Sequence, residues 1–416
     1  MKINRIFFVL VPVALYWYLM PALNVASGSN LKGFLTVLLW FAAFVLVSTF
    51  ILKYKLLKSF FDPVGFNMIK ILIFVNLVNV LRGLIETNVP ITTALGNPFT
   101  ALSLFSPLAV VFSVVNNSFN ILIRFLLILS FIGTVLVLIS FFIGSGVQSN
   151  DVSAGWELLY PAVFLIGFFP LLTRFEKASI FVSIIMLFGY IGLIIGSRAT
   201  IIRTFLLYVS RFFTATSNRI MAKIFYPVIV ILILLFAYDS FISPMFEKQS
   251  FLQSSQLFII EKFGNTSPSN AIIYKSDTRT FLYKEVLEDL ILSENLIFGK
   301  GSSGTYFSEY FQTTGDDTDT RLTVEVGILA LILKGGVISF VLNLLILLYA
   351  SYIALVRFRG NEILNWIGFF LLIHILLLFV ENLISFNLYN LCLWIFIGFC
   401  LNKKFLSSFL EKHDLL

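Results

Sequence analysis

A chain of 416 residues that is 59% hydrophobic and only 12% charged lacks the polar surface to cover several water-soluble domains, and its mean hydropathy of +0.96 places it in a membrane. The apolar stretches are continuous rather than alternating, which excludes a barrel and predicts helices. The formal charge of +7 follows the distribution of loops between the two membrane faces, so it does not point to nucleic acid.

Runs long enough to cross the hydrocarbon, about 17 to 25 residues each, are predicted near 6–23, 33–52, 67–85, 100–116, 119–143, 157–173, 178–195, 199–213, 225–242, 336–356, 363–380 and 384–402. The expected fold is all-α: a polytopic membrane protein of about twelve transmembrane helices with one large external loop. Three regions follow: a first bundle of about nine helices over 1–242, a loop with short helices over 243–321, and three last helices with a short cytoplasmic tail over 322–416. Lys53, Lys55, Lys58, Arg124, Arg174, Lys177, Arg211, Arg219, Arg357, Arg359, Lys403 and Lys404 collect on one side. The positive-inside rule makes that side cytoplasmic, with both termini inside and the long loop outside.

In chain order, the first helix is a retained span rather than a cleaved leader, and its Tyr16, Trp17 and Tyr18 suit an interfacial aromatic belt. Asn76, Asn79, Arg82 and Glu86 share one face of the third span, and such a polar stripe faces the bundle or a water-filled cavity. Arg82 and Glu86 also have the spacing to neutralise each other. Segments 88–98 and 144–155 read as short external loops. Arg198 sits where the seventh span ends and the eighth begins, with Arg203 about a turn deeper. Two readings are open for Arg203: snorkelling to the surface, or an anionic partner in a cavity.

The loop over 243–321 holds 11 of the 22 acidic residues, which makes it the place for aqueous chemistry beside the membrane. An amphipathic helix is expected over Phe251 to Phe263, and a second helix from a Ser276 or Asp277 cap to about Ser293, carrying Arg279, Tyr283 and a Lys284/Glu288 pair. The Gly299-Lys300-Gly301 turn lacks Walker spacing and reads as a backbone turn, whose exposed amides beside Lys300 could assist an anion. Asp316, Asp317 and Asp319 form an acidic patch without the Gly and terminal Glu of an EF-hand, so no metal is expected. Arg321 and Glu325 are spaced to meet on a short helix at the membrane surface. Cys392 and Cys400 share the last span, too far apart to pair.

The Gly196-Ser197-Arg198 junction, the segment from Arg279 through Gly301, and EVGILALILKGGVIS from Glu325 together resemble the bacterial O-antigen polymerase and O-antigen ligase superfamily, integral-membrane glycosyltransferases of the C-type fold. The resemblance implies a donor glycan on undecaprenyl diphosphate, no cofactor and no metal, and inversion at the anomeric carbon. Transfer builds charge on the leaving diphosphate, so Arg198, Arg279 and Arg203, then Arg321, are the expected anion-stabilising groups. Arg82, Lys300, Asp316, Asp317 and Asp319 are expected to bind substrate. The family's loop histidine falls on Glu325 here, which makes this carboxylate the candidate general base. Polymerisation of lipid-linked repeat units is the preferred activity, with a chain-length regulator and a flippase as the partners such a role implies. The alternatives are ligase-type transfer to another acceptor, a lipid-linked oligosaccharide flippase or carrier using His374 and Glu381, and a non-catalytic envelope scaffold.

Overall fold

The computed structural model describes residues 5–22, 30–85, 89–143, 152–189, 198–215, 219–242, 280–308, 320–358 and 361–413. A helix stands at each position where an apolar run was read. In chain order these are α1 (Phe7–Ala22), α2 (Asn30–Phe60), α3 (Pro63–Ile85), α4 (Ile91–Gly96), a 3-10 helix (Ala101–Val114), α5 (Ser118–Ile143), α6 (Val152–Ile166), α7 (Arg174–Gly189), α8 (Arg198–Ala215) and α9 (Arg219–Ile242). After the start of the long loop come α10 (Thr280–Leu292), a two-stranded antiparallel ribbon of β1 (Tyr306–Phe307) and β2 (Thr320–Arg321), α11 (Gly327–Tyr352), α12 (Glu362–Leu378), α13 (Leu388–Leu401) and α14 (Lys403–His413). Among the described residues, five helical stretches are long and apolar enough to cross a membrane: Asn30–Phe60, Pro63–Ile85, Ile91–Val114, Ser118–Leu138 and Gly327–Arg357. The chain is thus an all-α protein of membrane type, apart from that ribbon. The expected short loop over 88–98 contains the helical turn α4.

The 3-10 helix is the central element. It runs for 14 residues with Pro107 inside and packs against α2, α3 and α13. Runs this long are uncommon because eclipsed side chains and poorer hydrogen bonds penalise them. Here Ser103 and Ser113 donate their hydroxyls to the carbonyls of Thr100 and Val110, and nearly every residue is buried.

An aromatic cluster fixes the neighbouring helices. Trp366 stacks on Phe370 at 5.6 Å, and Phe164, Tyr389 and Phe396 surround the pair. Gly167 lets α6 run against the Trp366 ring, where a β-carbon would collide. Tyr16, Trp17 and Tyr18 depart from the expected lipid-facing belt: all three are buried, and the Trp17 indole donates to the Phe386 carbonyl at 3.0 Å. The side of the helix on which they stand packs against protein, so burial takes them out of the interface.

Side-chain pairs define one end of the bundle as basic. Asp62 accepts a hydrogen bond from the Tyr349 hydroxyl at 2.6 Å and has Arg357 at 3.6 Å and Lys403 at 3.7 Å. Arg211 of α8 meets Glu362 of α12 at 2.7 Å at the same end, and Asn361 caps α12 by accepting from the amides of Ile363 and Leu364. The opposite end receives the described part of the long loop. Cys392 and Cys400 are buried and form no disulfide with each other.

Candidate functional site

The loop end is organised by a break in α11. Gly336 takes φ 66° and ψ −173°, which no residue with a β-carbon adopts cheaply, and the helical ladder is interrupted there. The turn after α10 repairs the interruption with four backbone bonds. The Lys300 and Gly301 amides donate to the Leu333 and Lys334 carbonyls at 2.7 and 3.1 Å, while the Val337 and Ile338 amides donate to the Leu296 and Ile297 carbonyls at 3.0 and 3.4 Å. Gly299 (φ 68°) and Gly301 (φ 79°) give the turn its left-handed corners, as its composition suggested. Gly83 of α3 lies directly against Ser302 and Ser303, and the Ser302 amide donates to the Asn79 carbonyl at 2.8 Å.

Two of the expected substrate-binding residues hold this turn in place. The Arg82 guanidinium donates to the Phe298 carbonyl at 3.1 Å and to Asn295 Oδ1 at 3.4 Å. The Lys300 ammonium lies 2.5 Å from Asp289 of α10. Asn76 and Asn79 face the bundle, as the stripe on α3 predicts, and are buried. Glu86, the other expected partner of Arg82, lies outside the described residues.

Beside the turn, Arg321, Glu325, Tyr306, Glu285 and Ser308 form a second group. Arg321 Nη1 lies 4.0 Å from Glu325 Oε1, with the carboxylate side chain 49% exposed. The spacing suggested a helix, but Arg321 is in β2 and the chain bends through 322–326 before α11 begins at Gly327. The pair is held instead by neighbours: Asn382 Nδ2 donates to the Val324 carbonyl at 2.7 Å, and the Gly327 amide donates to the Glu381 carbonyl at 3.0 Å. Below it, burial pushes the Tyr306 phenol up to about 12, with Glu285 and Glu325 acting in the same direction and Arg321 opposing. Tyr306 is therefore a neutral hydroxyl at any working pH. The Ser308 hydroxyl donates to Glu285 at 2.6 Å, and Tyr283 anchors α10 by donating to the Phe379 carbonyl at 2.7 Å. Lys284 and Glu288 make the expected pair at 4.0 Å.

Arg279, Asp316, Asp317, Asp319 and the helix expected over 251–263 lie outside the described residues. Arg198 and Arg203 stand in the first turns of α8, and their side chains also lie outside what is described. Arg211, later in the same helix, is at the basic end, so the backbone of Arg198 points toward the loop end, about 20 Å away along the axis. Asp289, Asn295, Tyr306 and Glu285 were not singled out from the sequence. No motif marks them, because each acts on a partner in another element, the nearest in sequence being Lys300 for Asp289.

In the bundle core, His374 Nδ1 and the Tyr389 hydroxyl share a hydrogen bond of 2.9 Å between α12 and α13. Glu381 lies beyond the end of α12, so it does not share a helical face with His374. That arrangement is one of interhelical packing. No family model matches this chain, and no curated protein matches it either.

Proposed function

We propose that this chain is an integral-membrane glycosyltransferase that polymerises undecaprenyl-diphosphate-linked oligosaccharides, with the basic end of its bundle cytoplasmic, the loop end periplasmic and about twelve spans between them. The observation that carries the reading is the seating of the turn at 296–302 in the break at Gly336. These are two of the segments whose sequence resembles the polymerase and ligase superfamily, and they pack against each other across the end of the long loop. Their junction sets Arg321 and Glu325 at the same end as the start of α8.

In this reading the acceptor hydroxyl attacks the anomeric carbon opposite the diphosphate, the carbon–oxygen bond to the diphosphate breaks, and the hydroxyl proton passes to Glu325. Arg321, 4.0 Å from that carboxylate, stabilises the developing negative charge, joined by Arg198, Arg203 and Arg279. Asp316, Asp317 and Asp319 orient sugar hydroxyls. Arg82 and Lys300 act by holding the turn, since each is bonded within it.

Reconstitution with an undecaprenyl-diphosphate oligosaccharide alone tests the proposal. A ladder of products is the expected result, and product formed only after a different acceptor is added would assign ligase activity instead. Glu325→Gln should lower turnover by about 10² to 10⁴ fold, and Arg279→Lys should lose most turnover through loss of the bidentate fork. Full activity in both variants would refute the assigned chemistry.

A further inference from the structure

A hollow stands at the other end of the bundle from the candidate site. Its volume is about 710 Å³, and it opens between the end of α2, the end of the 3-10 helix, and the starts of α5, α7 and α14. That size is within the range of small-molecule sites and far beyond what a single water or carboxylate needs.

Its chemistry is that of an anion site. Arg124 on α5 and Lys404 on α14 both line it and are both exposed, and no carboxylate among the described residues comes within salt-bridge distance of either. The Lys404 ammonium rests 4.8 Å from the centre of the Phe60 ring, which holds it over the hollow's apolar wall. The one carboxylate in the lining, Glu176, accepts from the Thr173 amide at 2.8 Å and the Thr173 hydroxyl at 2.9 Å, closing a capping box on α7, and feels the Arg124 charge only from beyond salt-bridge distance. Two other helices, α5 and α14, begin here, with Ser118, Asn402 and Lys404 in the lining. Asn117, at φ 59°, turns the chain sharply into α5, and its amide side chain, with that of Asn120, adds neutral polar lining.

We propose that this hollow binds a phosphoryl group, its oxygens shared between the Arg124 guanidinium and the Lys404 ammonium, with the remainder of the ligand against the asparagine lining and the Phe60 wall. Two cations suit an anion with several oxygens better than a lone carboxylate. A phospholipid headgroup and a soluble phosphate ester share this chemistry. The site is independent of the glycosyl-transfer reading, because it shares no residue with the loop end.

The test uses the purified full-length chain. Retention of phosphatidylglycerol from mixed phosphatidylcholine and phosphatidylglycerol micelles is read by native mass spectrometry, and binding of glycerol 3-phosphate by calorimetry. The parent should hold phosphatidylglycerol or glycerol 3-phosphate. Retention of the lipid alone identifies a headgroup as the source, and binding of the ester as well identifies a soluble ligand. R124Q/K404Q should weaken whichever signal is present by roughly tenfold or more. K404R, and K55Q/K58Q at exposed cations outside the hollow, should stay within about twofold of the parent. Should R124Q/K404Q lose the parent's elution profile, N120D, which adds a carboxylate to the same hollow, replaces it with the same expectation. The proposal is overturned if the parent binds neither probe, if the hollow variants bind like the parent, or if K55Q/K58Q loses as much as they do.

Discussion

Replacing Gly336 by alanine attacks the joint between loop and bundle at its tightest point. The new β-carbon would overlap the Ile297 carbonyl, and the residue would have to keep φ 66° against its own side chain. Holding that conformation costs about 1 to 3 kcal/mol. If the turn backs away instead, the four bonds between 296–301 and 333–338 are lost, at about 0.5 to 1.5 kcal/mol each, and water does not readily replace them inside the bundle. The two routes bracket a loss of about 1 to 6 kcal/mol. For a chain of this length that is a fall of several degrees in the thermal midpoint in detergent. Gly33→Ala is the matched control. Gly33 lies in α2 with nothing within 4 Å of a built β-carbon, so alanine there should be neutral or stabilise by up to about 1 kcal/mol. A Gly336→Ala protein that melts with the parent, and whose 296–302 segment resists protease equally, would refute the splint.

Other perturbations address the remaining polar joints. Burial raises the Asp62 carboxyl, but hydrogen bonds from the Tyr349 hydroxyl and the Gly65 and Val64 amides, together with Lys403, hold it below its ordinary value of 3.8. A depressed carboxyl gives stability that is present above the unfolded value and lost as pH falls through the folded one. Acid melting curves should therefore show a loss below about pH 4 that Asp62→Asn flattens, and an unchanged acid limb would count against it. The Lys300–Asp289 pair, with side chains 20% and 21% exposed, should show a coupling of about 1 to 2 kcal/mol in a double-mutant cycle with alanine. His374→Phe removes the hydrogen bond shared with the Tyr389 hydroxyl, costing about 0.5 to 1.5 kcal/mol. Adding Tyr389→Phe should recover part of that loss, and strict additivity in chemical melts would dismiss the interhelical bond as a stabilising contact.

The positions of the helices were legible in the sequence because an apolar run has one physical remedy in a membrane, a helix that satisfies its own backbone. The inward face of Asn76 and Asn79 followed from spacing alone. What was not legible depends on partners distant in the chain. Nothing in residues 101–114 signals the 3-10 winding in which they pack against α2, α3 and α13. Arg321 and Glu325 meet without the helix their spacing implied, because Asn382 and the Glu381 carbonyl hold the backbone between and after them. Arg82 and Lys300 read as free cations for a substrate until Asn295, Phe298 and Asp289 were brought beside them. Tyr16, Trp17 and Tyr18 have belt composition yet sit in the core, since composition does not tell a lipid-facing side from a packed one.

The winding of residues 101–114 changes how far a given number of residues can reach. At about 2.0 Å of rise per residue, these 14 positions extend roughly 28 Å, close to the thickness of the hydrocarbon layer. Coiled as an ordinary α-helix they would reach only about 21 Å. A thread drawn out in this way traverses the slab with about five residues fewer than the usual twenty, and a change to the axially shorter α form would pull its two ends about 7 Å toward each other, dragging on α2, α3 and α13 at once.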